Sequence, residues 1–318
     1  MRLYGTMGKA GLALLLAIGL AAPAPGGAGS VAAAGTAAAN AIVDGKPVVF
    51  AEAAPVIQAG RMLVPARALL EAMGARMAWD PDARVVTATM EAAQGARTVL
   101  KLKIGSPYVQ RTVTDASGKA SADVVELDVA AQLLSDSTMI PLRASAELTG
   151  HALKWRQATK TAVISQPDAG VAPEMTFKQY GLSGELFKLS NEEIEAFFRT
   201  NDVRARHGKT KPFALSVPLS LVARLKSADM GEQGYFSHDS PTYGDPFEMM
   251  REQGIKYRSA AENIAAGQET PASVVAAWEN SPGHLKNMLG DYEQIGIGYA
   301  YYTDSDYRSY WTQQFISS

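Results

Sequence analysis

Apolar and polar residues alternate with two different rhythms along this chain, and one arrangement occurs twice. From Leu63, "LVPARALLEAMGARMAWDPDARVVT" reads as a strand ending at proline, a short amphipathic helix, a glycine able to close it in the left-handed conformation, and an alternating strand. From Met139, "MIPLRASAELTGHALKWRQATKTAV" repeats that order without a gap, matching Pro65 to Pro141, Arg67 to Arg143, Glu71 to Glu147, Gly74 to Gly150 and Trp79 to Trp155. The duplication predicts one small α/β domain over residues 41–167. Arg67 and Arg143 each stand four residues before a glutamate, so ion pairs with Glu71 and Glu147 along the helix are expected.

Periodicity then lapses. Residues 168–188 are rich in glycine and proline and read as a linker. The pattern resumes at Ser190, whose spacing to Glu193 is that of a capping box ahead of an apolar face at Ile194, Phe197 and Phe198. Ser216 and Pro218 open a second helix that glycine closes at Gly231 or Gly234, and Thr270 with Pro271 opens a third running to Trp278. The end, "QIGIGYAYYTDSDYRSYWTQQFIS", holds two alternating runs about a Thr-Asp-Ser-Asp turn and predicts a hairpin. Helices around an antiparallel sheet follow, and the fold class is α+β.

Composition narrows the setting. The chain has 318 residues, 47% of them hydrophobic, enough for two or three packed units. Arg2 and Lys9 precede an apolar run from Ala10 to Ala22, too short to span a bilayer and laid out like a secretory signal peptide over residues 1–34. An exported protein with no membrane span after cleavage is expected. Cysteine is absent, which excludes disulfides, thiolate metal sites and a cysteine nucleophile. There are 14 basic against 12 acidic side chains over residues 41–167, and 13 against 17 over 186–318. Neither half has the basic surplus that a phosphate backbone demands, so nucleic acid is not an expected partner.

Only four histidines occur. His238 in "GYFSHDSPTYGDPF" and His284 in "NSPGHLKN" lie in segments dense in Ser, Pro, Gly and Asp, which read as loops of the kind that carry binding side chains. Pro-Gly before His284 reads as a break after the third helix. Glu262, a carboxylate inside the small apolar run "AAENIAAG", is expected to be partly buried and to need a partner. Two imidazoles beside a carboxylate are donors for a zinc or other divalent ion, with His238 and His284 as metal ligands and Glu262 orienting water, taking its proton, or fixing one histidine. His207 reads as a solvated cation at a helix end, His151 as a surface residue, and Glu279 as solvent-facing.

These motifs carry two resemblances. Residues 41–167 resemble the copper amine oxidase-like N-terminal domain, through the repeated (L/M)-(V/I)-P-x-R, helix, G, W pattern. With one histidine and no cysteine or methionine cluster there, copper is not expected. Residues 189–318 resemble the CAP superfamily of cysteine-rich secretory, antigen and pathogenesis-related proteins, in its cysteine-free bacterial branch. The resemblance rests on "NDVRARHG", "LVARLKSADM", "GYFSHDSP", "AENIAAG", "VVAAWENSPGHLKNML", "QIGIGYA" and "YWTQQF" in order. It implies an α-β-α sandwich with an open cleft whose two histidines and first acid match His238, His284 and Glu262. The family's second acid is replaced by Ser281, the fourth candidate residue, and a hydroxyl cannot hold a proton as a carboxylate does. The incomplete set favours a binding module of the cell envelope or spore, docked to a wall or coat component, over a metal-dependent peptidase or other hydrolase. Lipid or sterol capture is a third reading that the resemblance brings with it.

Overall fold

The computed structural model describes residues 40–92, 95–167 and 174–318. The expected signal segment lies outside the described residues. The first half opens with β1 (Asn40–Val43), β2 (Lys46–Pro47), β3 (Val56–Gln58), β4 (Arg61–Pro65), α1 (Ala66–Ala72) and β5 (Arg76–Asp80). A meander follows, formed by β6 (Val85–Glu91), β7 (Arg97–Lys103), β8 (Tyr108–Thr114) and β9 (Ala120–Glu126). The second repeat supplies β10 (Gln132–Leu134), β11 (Ser137–Pro141), α2 (Leu142–Leu148), β12 (Ala152–Arg156) and β13 (Thr161–Ser165).

The duplicated text folds into duplicated structure. Pro65 and Pro141 stand at the start of α1 and α2, where their missing N–H costs nothing. Gly74 (φ +89°) and Gly150 (φ +78°) end the helices in the left-handed region. The closing bonds match as well, Ala75 N–H to Leu70 O at 2.9 Å and His151 N–H to Ala146 O at 2.8 Å. The copies meet through β4 and β11, which pair antiparallel with Val64 opposite Ile140, Leu63 opposite Pro141 and Pro65 opposite Met139. Equivalent residues are thus exchanged about a local two-fold axis between Val64 and Ile140.

Two expectations for this half are corrected. His151 is buried, at 2% exposure, because the residue after a helix-ending glycine folds back against the helix. Thr149 Oγ1 and Gln166 Nε2 stand 3.0 Å from its two ring nitrogens. The helical ion pairs are not among the described contacts. Glu147 accepts from Thr176 N–H (2.7 Å) and its hydroxyl instead, while Arg67 and Arg143 stay exposed.

Burial pushes His151 below the ordinary imidazole range, with Asp44 offsetting part of that. The unfolded chain therefore binds a proton at higher pH than the native state does. The stabilisation is intact above the unfolded value of about 6.5 and is lost as pH falls from there towards the lowered native value. Urea melts between pH 7.5 and 5 should show a stability slope that flattens in His151→Gln; an unchanged slope would mean another group carries it.

The second half contains β14 (Gln179–Ser183), α3 (Asn191–Arg206), β15 (Ala214–Ser216), α4 (Val217–Gln233), α5 (Pro246–Glu252), β16 (Ser259–Ala266), α6 (Pro271–Glu279), α7 (Pro282–Met288), β17 (Gln294–Tyr301) and β18 (Ser309–Ser317). The capping box at Ser190 and Glu193 forms, Ser216 caps α4, Gly234 closes it at φ +67°, and Thr270 caps α6. The expected hairpin is β17–β18, paired from Gln294 opposite Ile316 to Tyr301 opposite Ser309. One side of this sheet packs Ile194, Phe197 and Phe198 of α3 with Val274, Val275 and Trp278 of α6. The other packs Leu219 and Val222 of α4 with Met249 and Met250 of α5. That is an α-β-α sandwich.

The stretch read as a linker is structured from Gln179 onward. β14 pairs antiparallel with β9 (Tyr180 opposite Val124) and parallel with β15 (Leu182 opposite Leu215), and residues 186–188 form a 3-10 turn. Ten strands thereby run as one sheet in the order β16-β18-β17-β15-β14-β9-β8-β7-β6-β5. Tyr108 of β8 stacks on Phe198 of α3 with centroids 5.3 Å apart, so both halves share one core. Five residues were too few to show a period.

Candidate functional site

β16 is one of the two edge strands of the ten, and groups from both helical layers can meet over it. It pairs residue for residue with β18, setting Glu262 opposite Gln314 and Asn263 opposite Gln313. Opposed residues share a face and successive ones alternate. Accordingly Gln314 Nε2 donates to Glu262 Oε2 (3.0 Å), while Asn263 Nδ2 donates to Gln313 Oε1 (3.0 Å) on the other side.

His238 reaches Glu262 from a loop. Its Nδ1 lies 2.9 Å from Glu262 Oε1, with the imidazole 51% exposed and the carboxylate only 2% exposed. Two buried groups of α4 pin the loop. Lys226 Nζ donates to the His238 carbonyl (2.7 Å) and to Tyr235 Oη (3.0 Å). Asp229 accepts from Tyr235 Oη, from Ser240 Oγ (2.6 Å) and from Thr242 Oγ1 (2.9 Å). Burial would raise the Asp229 carboxyl, but these donors and the Lys226 charge outweigh it and hold it below the usual range. Burial lowers the Lys226 ammonium, and Glu262, Asp229 and Asp239 oppose that.

His284 arrives from the other layer, and not as expected. Pro282 and Gly283 start α7, so His284 sits in that helix's first turn. Proline at this position loses no intrahelical bond, which is why Pro-Gly opens a helix here. Asn263 Nδ2 donates to the His284 carbonyl (3.1 Å), and Asn287 of α7 donates to Asn263 Oδ1 (2.8 Å) and to the Glu262 carbonyl (3.3 Å). Burial first, and then the neighbouring His238, hold His284 below the ordinary imidazole range.

The structure sets the His238 ring, on a loop, against Glu262, on a strand, and ties His284, in a helix, through its main-chain carbonyl to the neighbouring Asn263, instead of drawing on three loops. Ser281 stands apart. It occupies the N-cap position of α7 without a side-chain cap bond, and among the described contacts it touches none of the three. His207 and Glu279 are not simply solvated: His207 Nε2 lies 3.1 Å from Glu279 Oε1, and Arg206 bonds the same carboxylate (2.7 Å). The supporting groups Lys226, Asp229, Asn263, Asn287 and Gln314 were not singled out from sequence. Lys226 and Asp229 sit three apart on α4, a spacing that sets them on one face of the helix, and that signal was available.

Comparison with known proteins covers both halves. Residues 197–315 match the cysteine-rich secretory protein family, and residues 42–164 and 118–192 match the copper amine oxidase N-terminal domain. Uncharacterized protein YkwD of Bacillus subtilis (strain 168) is 43% identical over 162 residues, 51% of this chain and 61% of that protein. Uncharacterized membrane protein YlbC of the same organism is 37% identical over 160 residues, 49% of this chain and 44% of that protein. The chain spans less than two thirds of either relative. An extracellular protein of Bacillus anthracis containing a SCP domain aligns over 80% of this chain and 93% of its own, with 18% identity and a TM-score of 0.36. No helix among the described residues is long and apolar enough to cross a membrane.

Proposed function

Because residues 197–315 form a domain of the cysteine-rich secretory protein family and residues 42–192 a copper amine oxidase N-terminal domain, we propose an exported envelope protein that binds its ligand at His238 and His284, together with a divalent ion such as zinc. The observation that carries this reading is the 2.9 Å contact between His238 Nδ1 and Glu262 Oε1. A carboxylate accepting from Nδ1–H fixes the tautomer and leaves the Nε2 lone pair facing outward. The lowered proton affinity of His284 supplies a second neutral imidazole at physiological pH.

Among the described residues no group of three or more His, Cys, Asp or Glu stands ready to hold a metal. The proposed site therefore has two protein ligands, His238 and His284, with its remaining positions falling to water or to the bound molecule and its affinity modest. An ion held there would polarise an oxygen of that molecule. Both Glu262 oxygens are already engaged, by His238 and Gln314, which supports a positioning role and favours binding over hydrolysis. The charged, then apolar, layout of Arg2, Lys9 and residues 10–22 supports export.

Isothermal titration of the purified protein with zinc tests the site. His238→Ala and His284→Ala should each abolish binding, and Glu262→Gln should weaken it about 10- to 100-fold. Affinity equal to the parent in either histidine variant overturns the assignment. Turnover of wall polymer abolished by Glu262→Gln would favour a hydrolase instead.

A further inference from the structure

Two pockets of about 300 and 270 Å³ open on the duplicated half, and they are copies of each other. Trp79, Arg67 and Pro65 line the first; Trp155, Arg143 and Pro141 line the second. Each is completed by the hairpin of the opposite repeat, Leu133 and Asp136 before β11 in the first, Ile57 and Gly60 before β4 in the second. An acid stands at the same place in both, Glu52 and Asp128. Every residue lining the second pocket is related to one lining the first by the register that sets Leu63 against Met139. The local two-fold axis is perpendicular to the paired strands β4 and β11, so the pockets lie at one level of that sheet on either side of the axis. Their proline walls stand roughly 8 Å apart, two residue steps along a strand and one strand spacing across.

We propose that this pair is a bivalent binding site for a polymer of uncharged pyranose sugars. Trp79 and Trp155 are 45% and 43% exposed, whereas Trp278 and Trp311 are fully buried. Trp155 Nε1–H already donates to Gln157 (2.7 Å), which leaves the ring face as the part open to a ligand. A pyranose ring has an apolar C–H face that an indole covers and a rim of hydroxyls that guanidinium and carboxylate groups can bond. Arg67 and Arg143 supply that guanidinium, with no ion pair among the described contacts.

Charge decides against an ionic ligand. The first pocket holds Arg67 with Glu52 and Asp136, the second Arg61 and Arg143 with Asp128, so the two carry opposite net charge. What both can recognise in common is uncharged, and like pockets on one axis suit a ligand that presents one unit repeatedly. Engaging two units raises apparent affinity without a new contact. The inference rests on this half alone and stands or falls independently of the metal reading.

With anionic, peptide-bearing bacterial wall as the comparison, the test uses the full protein with chitin, cellulose and starch, all of them uncharged. The protein should be retained on at least one of these, and its soluble oligomer should perturb tryptophan fluorescence. Trp79→Ala and Trp155→Ala should each weaken retention tenfold or more, with a smaller loss on a disaccharide than on the polymer, and the double variant should lose both retention and the fluorescence change. Zinc affinity should stay at the parental value in all three, and circular dichroism should show a folded chain in each, although losing the half-buried rings lowers the melting temperature. No retention on any of the three polymers, retention that survives the double variant, or binding only to peptide-bearing wall overturns the proposal.

Discussion

Gly298→Ala is expected to lift α4 off the sheet and to cost about 3 kcal/mol, the upper end of what overpacking a filled core usually does. A methyl group built on Gly298 would lie 2.1 Å from both Ala223 C and Arg224 N, and one on Gly296 would lie 2.5 Å from Leu219 C. These neighbours are main-chain atoms of α4, which no rotamer change can move aside. The two glycines are alternate residues of β17 and meet α4 one turn apart, so "QIGIGYA" is the strand face on which that helix lies flat. Ser220 Oγ accepts from Ile297 N–H (3.0 Å) and Ser227 Oγ donates to the Gly298 carbonyl (3.2 Å), holding it there. Because α4 also carries Lys226 and Asp229, the same substitution should weaken the proposed zinc site at His238. Urea denaturation checks the first part, and a loss under about 1 kcal/mol would show that the contact is slack.

Arg204→Met is the second large effect. Arg204 of α3 is 1% exposed and spends its guanidinium on main-chain carbonyls: Lys211 (2.6 Å from Nη2), Met288 (2.7 Å) and Gly290 (3.0 Å). It also lies over the Phe213 ring, 3.7 Å from the centroid. Methionine keeps much of the volume and none of the donors, leaving three carbonyls without this partner. Bonds to a charged donor are worth about 1.5–3 kcal/mol each, so a total near 4 kcal/mol is expected, allowing for partial rescue by water. Met288 ends α7, and loosening it should weaken the proposed zinc site at His284. Arg204→Lys should recover part of the stability; full stability in Arg204→Met would mean the carbonyls find other donors.

Much of the fold was legible because its signals are local. A proline at a helix start, a glycine after its end and a Ser-x-x-Glu cap act within a few residues, and the positions at Pro65, Pro141, Gly74, Gly150 and Ser190 all formed as read. The meander β6–β9 escaped although each strand pairs with its neighbour in the chain, and the bridging strand β14 escaped because its partners β9 and β15 are distant and it is only five residues long. The three site residues were legible as residue types in unusual settings, but not their carriers. Glu262 lies on a strand and His284 in a helix because β16 finds its pairing in β18 and α7 its seat against β16, neither of which is written nearby. The expected pair of Arg143 with Glu147 lost to Thr176, a competitor 29 residues on.

Continuity of the ten strands has a price for anyone who would take the chain apart. Cutting between the halves removes β14 from β9 or from β15, and either cut bares hydrogen-bonding main chain beside buried side chains such as Val124 and Leu215. Such raw edges recruit one another, so truncated pieces are prone to precipitate. What looks in the sequence like two modules in tandem is joined in one sheet, and the second module here leans on the strand that precedes it.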